Sequence, residues 1–476
     1  MNELKVSYIA ERVDGKLYGP DKFMTGIFTV LNGAKKGDAV IRHWVDDKGI
    51  EIAVRKDISC IITQNPKGNA IETAKELNFP LVVADKIELA NAFAIKWAVN
   101  KFAQNSLRVV VTGTNGKSTT AHMIYGILKE AGYNAYTNTD SKSEFNTLID
   151  PMVAKQIAEF EGKIDAMVLE VSEVQGWLND LMKDHAYLMT DAVNPDAVVI
   201  TNVTLDHIGL VNSIEETFKE TSGAARALKK ENSALILNYD DLLVRKMKDV
   251  TSEDNMILFF GDKADISLDE AGISYKEDTI IKRNDLPFKS NHFIQNTMAA
   301  VGAALSLRIN PEIIERAVKS YAPLKRRFVF LNHNPCIIDD FAHNPEGIKA
   351  TIQNAALVGN NDFYIVSAIR GSRGKAINQA NAEAIADGLQ NIPYKLIITS
   401  SSDVIDNLNT VTDSEKKVFI DALQKKGIKY IFHEKLYDAL ENVIKLSNSH
   451  DTILLIGAQG MDPAANILKQ ILNFSK

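Results

Sequence analysis

The sequence predicts an α/β fold in three domains: a small N-terminal α/β domain, a central domain built on a parallel sheet, and a C-terminal Rossmann-like domain. Three observations carry that reading. The chain has 476 residues, and domains usually run to roughly 100–200. Short apolar runs alternate with helical stretches along most of its length, the pattern of strand–helix–strand units. A polar break, Ala103-Gln104-Asn105-Ser106, separates an amphipathic stretch from the apolar run Val109-Val110-Val111 and places a boundary near residue 105.

Taken in order, residues 1–105 hold β-like runs at 27–31, 60–63 and 81–83, closed by a helix over 88–102. The central domain spans 106–326, and its runs at 166–171 and 197–201 suit strands buried on both faces. A charged, irregular stretch at 254–286 reads as a β-rich insertion ahead of a helix over 296–307. The C-terminal domain, 327–476, repeats the alternation with strands at 336–340, 362–368, 394–399, 430–432 and 452–456, most of them followed by a helix. No internal repeat or low-complexity segment interrupts it.

Composition narrows the function classes. With 45% hydrophobic and 24% charged residues the chain is an ordinary globular one, which excludes disorder and fibrous repeats. A net charge of −7 argues against a nucleic-acid partner. Two cysteines, Cys60 and Cys336, make neither a disulfide framework nor a four-thiolate zinc site, and they fit a reducing compartment. The start has no apolar core of signal-peptide length, and no run reaches the roughly 18 apolar residues that span a bilayer. A cytoplasmic, monomeric protein without a membrane partner is the expectation.

The strongest local signal is Val111-Thr112-Gly113-Thr114-Asn115-Gly116-Lys117-Ser118-Thr119, an apolar strand that turns through glycines into a helix. A phosphate needs this arrangement: glycines let the backbone approach, N–H groups converge at a helix N-terminus, and Lys117 adds a point charge. The central domain is therefore read as a P-loop ATPase domain. Gly113, Thr114, Asn115, Gly116, Lys117, Ser118 and Thr119 are its candidate nucleotide contacts, and the Ser118 hydroxyl a candidate Mg2+ ligand. The loop departs from the usual G-x-x-x-x-G-K-[ST], because Val111 stands where the first Gly would be.

A P-loop implies a nucleoside triphosphate but neither which one nor the reaction. Two further polar positions fall at predicted strand ends, Glu170 and the pair Asp206-His207, where ligands of open α/β sheets lie. A carboxylate and an imidazole there can hold Mg2+ beside ATP phosphates. Taken alone, His207 reads better as a core or surface histidine and Asp206 equally as a turn or cap residue; together with the loop the balance turns toward a metal site.

Several motifs then come in one order: Gly-Thr-Asn-Gly-Lys-Ser-Thr at 113–119, Leu-Glu-Val-Ser at 169–172, Thr-Asn-Val-Thr-Leu-Asp-His at 201–207, His292 with Asn296, Arg327, and Asp-Phe-Ala-His-Asn-Pro at 340–345. That order resembles the Mur ligase superfamily, ATP-dependent amide-bond ligases of cell-wall precursor and folate metabolism. The resemblance implies that Asn296 contacts adenine and that Arg327 and Asp340 reach ATP across an interdomain cleft. It matches His343 and Asn344 to the segment that opens the C-terminal domain, and it gives Lys117, Glu170, His207 and Arg327 the catalytic roles, with Ser118, Glu170 and His207 as metal ligands. By itself, Arg326-Arg327 also reads as a solvated basic pair at a domain joint. Arg370-Gly371-Ser372-Arg373-Gly374 falls where the family has a Gly- and Arg-containing loop facing substrate.

Two departures stand out. Where many members carry a carbamylated Lys this chain has Thr221, with Lys219 two residues away; and Thr399-Ser400-Ser401-Ser402-Asp403 replaces the Asp-Asn-Pro-Arg acceptor signature. The layout resembles the E and F types, whose N-terminal domain takes a UDP-linked precursor. Glu-Val-Gln-Gly-Trp at 173–177 most resembles members from methanogenic archaea. The resemblance implies a pseudomurein peptide ligase that adds an amino acid to a UDP-linked peptide precursor through an acyl phosphate. Two alternatives stay open: a coenzyme F430 synthetase-type member acting on a nickel tetrapyrrole, and a nucleotide-binding ATPase that is not a ligase.

Overall fold

A computed structural model describes residues 3–139, 151–177, 180–204, 210–211, 213–287, 291–358, 361–407 and 409–474. The chain divides into two compact units, Met1–Thr139 with Phe145–Tyr321, and Ala322–Lys476. The fold is mixed α/β, with parallel strands at the heart of each of its three larger sheets among the described residues.

The first sheet contains β1 (Gly15–Tyr18), β2 (Phe28–Thr29), β3 (Ala39–Val45), β4 (Cys60–Pro66) and β5 (Leu81–Ala84), in the order β1-β5-β4-β3-β2. Only β1 runs antiparallel to its neighbour. The strand expected at 27–31 shortens to two residues, because Leu31–Gly33 turn into a 3-10 helix. Helix α1 (Ile87–Phe102) follows, with buried side chains at 87, 88, 90, 91, 94, 95, 98 and 99. So broad a buried face marks a helix packed on more than one side. It lies on the first sheet and also against helices Pro151–Ala158 and His185–Val193 of the following region. One apolar core accordingly runs from Val6 through Ile95 to Met247.

The second sheet holds β6 (Leu107–Thr112), β7 (Ala135–Thr137), β8 (Ala166–Glu170), β9 (Ala197–Ile200), β10 (Ala234–Asn238), β11 (Met256–Phe260), β12 (Ile266–Leu268), β13 (Gly272–Tyr275) and β14 (Asp278–Lys282). Their order is β14-β13-β12-β11-β10-β9-β6-β8-β7. Val109, Val110 and Val111 of β6 are fully buried, as a central parallel strand flanked by β8 and β9 requires. The charged stretch after residue 254 adds a final strand and an antiparallel extension. Three helices serve the site: α2 (Lys117–Glu130) after β6, α3 (Ile214–Arg226) and α4 (Asn291–Ser306).

The Ala322–Lys476 unit is a doubly wound sheet of β15 (Val329–His333), β16 (Cys336–Asp340), β17 (Phe363–Ala368), β18 (Lys395–Thr399), β19 (Tyr430–His433) and β20 (Thr452–Ile456), ordered β15-β16-β20-β17-β18-β19. Helices α5 (Pro345–Ala356), α6 (Lys375–Gly388) and α7 (Asp413–Lys425) pack on one another, as do α8 (Leu436–Leu446) and α9 (Ala464–Phe474). Among the described residues no helix is long and apolar enough to cross a membrane.

Candidate active site

The loop between β6 and α2 is built for a close ligand. Gly113 and Gly116 hold φ of +119° and +84°, where side-chain-bearing residues are strained. Space forbids a side chain as well: a Cβ on Gly113 would lie 2.3 Å from Thr201 Oγ1, and one on Gly116 would lie 2.2 Å from Asn296 Oδ1. Asn296, buried on α4, therefore abuts the loop itself.

Asn202, just past β9, fixes the loop's path. Its backbone carbonyl accepts from Thr114 N–H (2.9 Å), its Oδ1 accepts from Asn115 N–H (2.8 Å), and its Nδ2 donates to the Asn115 carbonyl (2.9 Å). The Thr114 hydroxyl adds a bond to the Thr204 carbonyl and accepts from the Thr204 N–H.

Lys117 curls back over the loop. Its ammonium donates to the carbonyls of Gly113 (2.7 Å) and Thr114 (2.9 Å) and to Glu173 Oε2 (2.8 Å). Glu173 is fully buried and the Lys117 side chain nearly so, which strengthens the pair relative to one in water. Ser118 Oγ donates to Glu170 Oε1 at 3.1 Å, and both residues are buried. Asn138, after β7, holds the Glu170 backbone from both sides: its Nδ2 donates to the carbonyl and its Oδ1 accepts from the N–H. A hydroxyl and a carboxylate oxygen so placed suit a hard cation that shares its remaining positions with phosphate and water. The residues present therefore fit Mg2+ and a nucleotide phosphate chain.

Glu173, Asn202 and Asn138 are the residues that sequence reasoning passed over. A polar residue just beyond a predicted parallel strand was the available signal for Asn202; Asn138 follows a strand too short to be predicted. His185, beside them, is buried and donates from Nδ1 to the Ser172 carbonyl. Burial pushes its imidazole down to about 4, against smaller opposing effects of that carbonyl and of Glu173. It is neutral at physiological pH.

Asp206 and His207 lie outside the described residues. Thr221 is fully buried on α3 and donates to the Thr217 carbonyl one turn back, while Lys219 is exposed.

In the second unit the two neighbouring arginines separate by role. Arg326 is buried, pairs with Asp339 and Asp462, and donates to the carbonyls of Gly457 and Ala458, so it ties the start of the unit to the loop after β20. Arg327 is half-buried with its guanidinium 5.3 Å from the Phe341 ring centroid. Asp340 Oδ1 accepts from Ala342 N–H (2.8 Å) and the Thr351 hydroxyl (3.3 Å), which shapes the turn. Asn344 caps α5 through Gly347 N–H. His343 donates from Nδ1 to the Phe341 carbonyl, and its own carbonyl accepts from Asn381 Nδ2.

The family model for the Mur ligase middle domain matches residues 111–304, and that for the Mur ligase glutamate ligase domain matches residues 326–459. A UDP-N-acetylmuramoyl-L-alanyl-D-glutamate–2,6-diaminopimelate ligase of Fusobacterium nucleatum is 23% identical over 86% of this chain and 82% of its own length. The fold is that of MurF from Acinetobacter baumannii, with a TM-score of 0.72, 18% identity and 99% of each chain covered. It is also that of a pseudomurein peptide ligase type C from Methanothermus fervidus, with a TM-score of 0.58, 17% identity and coverage of 92% of this chain and 100% of the other. With both family domains in sequence and the phosphate cradle at the start of the first, the chain belongs to the Mur ligase family of ATP-dependent, ADP-forming amide ligases.

Proposed function

We propose that the chain joins an amino acid to the carboxyl group of a UDP-linked peptide precursor of the pseudomurein type. The observation that supports this most directly is the convergence, at the ends of adjacent parallel strands, of Lys117 on its glycine loop with the Ser118–Glu170 pair. Such a site stabilises charge on a phosphoryl group in flight, which is what a carboxylate needs to become an acyl phosphate. The amine then displaces phosphate, so a poor leaving group has been replaced by a good one.

Lys117 has the reach for this role, since its ammonium already lies among the loop carbonyls that a phosphate chain would border. Ser118 and Glu170 would hold Mg2+, and His207 is assigned to it following the family pattern; the ion would supply neutralisation of the phosphate oxygens. Asn296, against Gly116, is assigned to adenine, and Arg327 to phosphoryl charge, following the family pattern. Asp340, His343 and Asn344 shape the opening turn of the second unit. Residues 1–105 are assigned to the precursor, 106–326 to ATP and 327–476 to the incoming amine. The pseudomurein assignment is supported by the 173–177 segment and by the likeness to the Methanothermus fervidus ligase.

The test is ADP release by the purified chain with Mg-ATP, a panel of UDP-linked peptides and a panel of free amino acids. Release that requires both a UDP-linked carboxylate and an amine is the expected outcome. Release on addition of a nickel tetrapyrrole alone would replace this reading with the ring-closing one.

A further inference from the structure

Strand β8 ends at Glu170 between two neighbours of unequal length. On one side β6 accompanies it to the last residue: Glu170 lies opposite Val111, and the next N–H, that of Val171, donates to the Val111 carbonyl (2.9 Å). On the other side β7 is three residues long, and its ladder with β8 stops at the pair Thr137 and Val168. Alternate residues of a parallel strand turn their N–H and carbonyl to opposite neighbours. Val171 turns its N–H to β6, so Glu170 turns both of its own backbone groups to the side where β7 has ended.

Asn138 closes that gap. It is the first residue after β7 and is buried; its Nδ2 donates to the Glu170 carbonyl (3.0 Å), and its Oδ1 accepts from the Glu170 N–H (2.8 Å). A primary amide carries the donor and the acceptor of a peptide group, so one side chain continues the ladder by a rung after the backbone has left it. The rung lies at the residue whose carboxylate matters most. Glu170 Oε1 accepts from Ser118 Oγ at 3.1 Å, and Ser118 is held separately, in the first turn of α2 after β6. The spacing of the two oxygens therefore depends on where the end of β8 is fixed.

We propose that Asn138 is a positioning residue for the divalent cation: by pairing with the Glu170 backbone it sets the carboxylate at a fixed distance from the Ser118 hydroxyl before the ion arrives. The inference rests on the reading above of Ser118 and Glu170 as Mg2+ ligands. Mg2+ demands near-ideal octahedral geometry at about 2.0–2.1 Å, so a carboxylate on a frayed strand end binds it poorly. Hydrogen bonds that hold a ligand without touching the metal typically change its affinity about 10–100-fold. Asn138 acts in this way through main-chain atoms, and the nucleotide loop, tied down by Asn202 on the far side of β6, does not depend on it.

The experiment reads Mn2+ binding to the full chain with ADP by electron paramagnetic resonance, and ADP binding in EDTA by calorimetry. Asn138→Leu keeps the volume and removes both bonds, and Asn138→Ala removes the side chain. Each is expected to weaken Mn2+ binding at least tenfold, about the range for such supporting bonds, with ADP affinity in EDTA within twofold of wild type. Glu170→Gln should lose Mn2+ in the same way, and a Glu170→Gln that leaves Mn2+ binding unchanged overturns the metal reading instead. Mn2+ affinity within twofold of wild type in an Asn138 variant, while Glu170→Gln loses it, overturns the positioning role. So does ADP affinity in EDTA that falls in step with Mn2+ affinity, the mark of a general structural loss. Should neither variant fold, hydrogen exchange of the wild type decides: the Glu170 amide is expected to exchange within tenfold of the Val168 amide inside the ladder, and exchange a hundredfold faster overturns the side-chain rung.

Discussion

Two loops of this molecule look alike in sequence and are built in opposite ways. Residues 113–118 and 370–374 both follow a buried parallel strand, both contain two glycines and a cation, and both run into a long helix. At the first, a buried carboxylate, Glu173, grips the side chain of the loop's lysine, while Asn202 sets the backbone. At the second, a buried carboxylate, Glu415, grips the backbone instead. The difference teaches that a glycine-rich turn is not by itself a phosphate site. What matters is which part of the loop the protein's own anion occupies.

Substitutions can break this comparison at several points. Lys117→Ala removes the cation of the first loop outright and should lower ADP formation about 10^3-fold, in the range found when one preorganised group at a developing charge is lost. Its melting temperature should fall by several degrees as well, because the fully buried Glu173 loses the cation that it faces. Near-normal turnover would return the loop to an ordinary strand-to-helix turn.

The site's second handle is pH. His185 has a folded-state value of about 4, below its ordinary 6.5, so the fold favours the neutral ring. Its stabilisation is complete above pH 6.5, declines as pH falls through the interval, and is gone below about 4, a total of up to about 3 kcal/mol. Denaturant titrations at pH 7 and pH 4.5 should show that loss, and His185→Asn, which keeps a donor for Ser172 but cannot titrate, should flatten it.

Gly116→Ala tests the backbone. A methyl at φ +84° costs about 1–2 kcal/mol, and it also meets Asn296. A urea midpoint that falls with unchanged slope is expected, together with weaker nucleotide binding. The mildest change, Glu173→Gln, sharpens the contrast between the loops: it releases Lys117 without altering the backbone path. With EDTA present, calorimetry should find ADP bound about fivefold more tightly, roughly 1 kcal/mol. Weaker binding would mean that Glu173 helps hold the lysine in its working position.

These two loops also show what the sequence could and could not display. The shape of the loop at 113–118 was legible because its signal is local: a strand, two glycines at forced dihedrals and a helix, all within about a dozen residues. The second sheet and the doubly wound unit were legible for the same reason, through runs such as 336–340 and 452–456 that became β16 and β20. The residues that shape the sites were not. Glu173, Asn138, Asn202 and Glu415 act on partners brought close only by the fold, and a buried Glu on a helix looks in sequence like any solvated one. The strand Ala39–Val45 escaped notice because Arg42 and His43 interrupt its apolar run, and Ala135–Thr137 because three residues carry no period.

Helix α1 has a bearing on how such a protein can be recombined. It is apolar on the side toward the first sheet and again toward the helices that flank the second sheet, so it acts as mortar between two courses of brick. A fragment ending at residue 105 would display Ala94, Ile95 and Ala98 to water on whichever side had lost its neighbour, and it should aggregate. Grafting a different N-terminal sheet onto the second one would then require the mortar to travel with its matching surface.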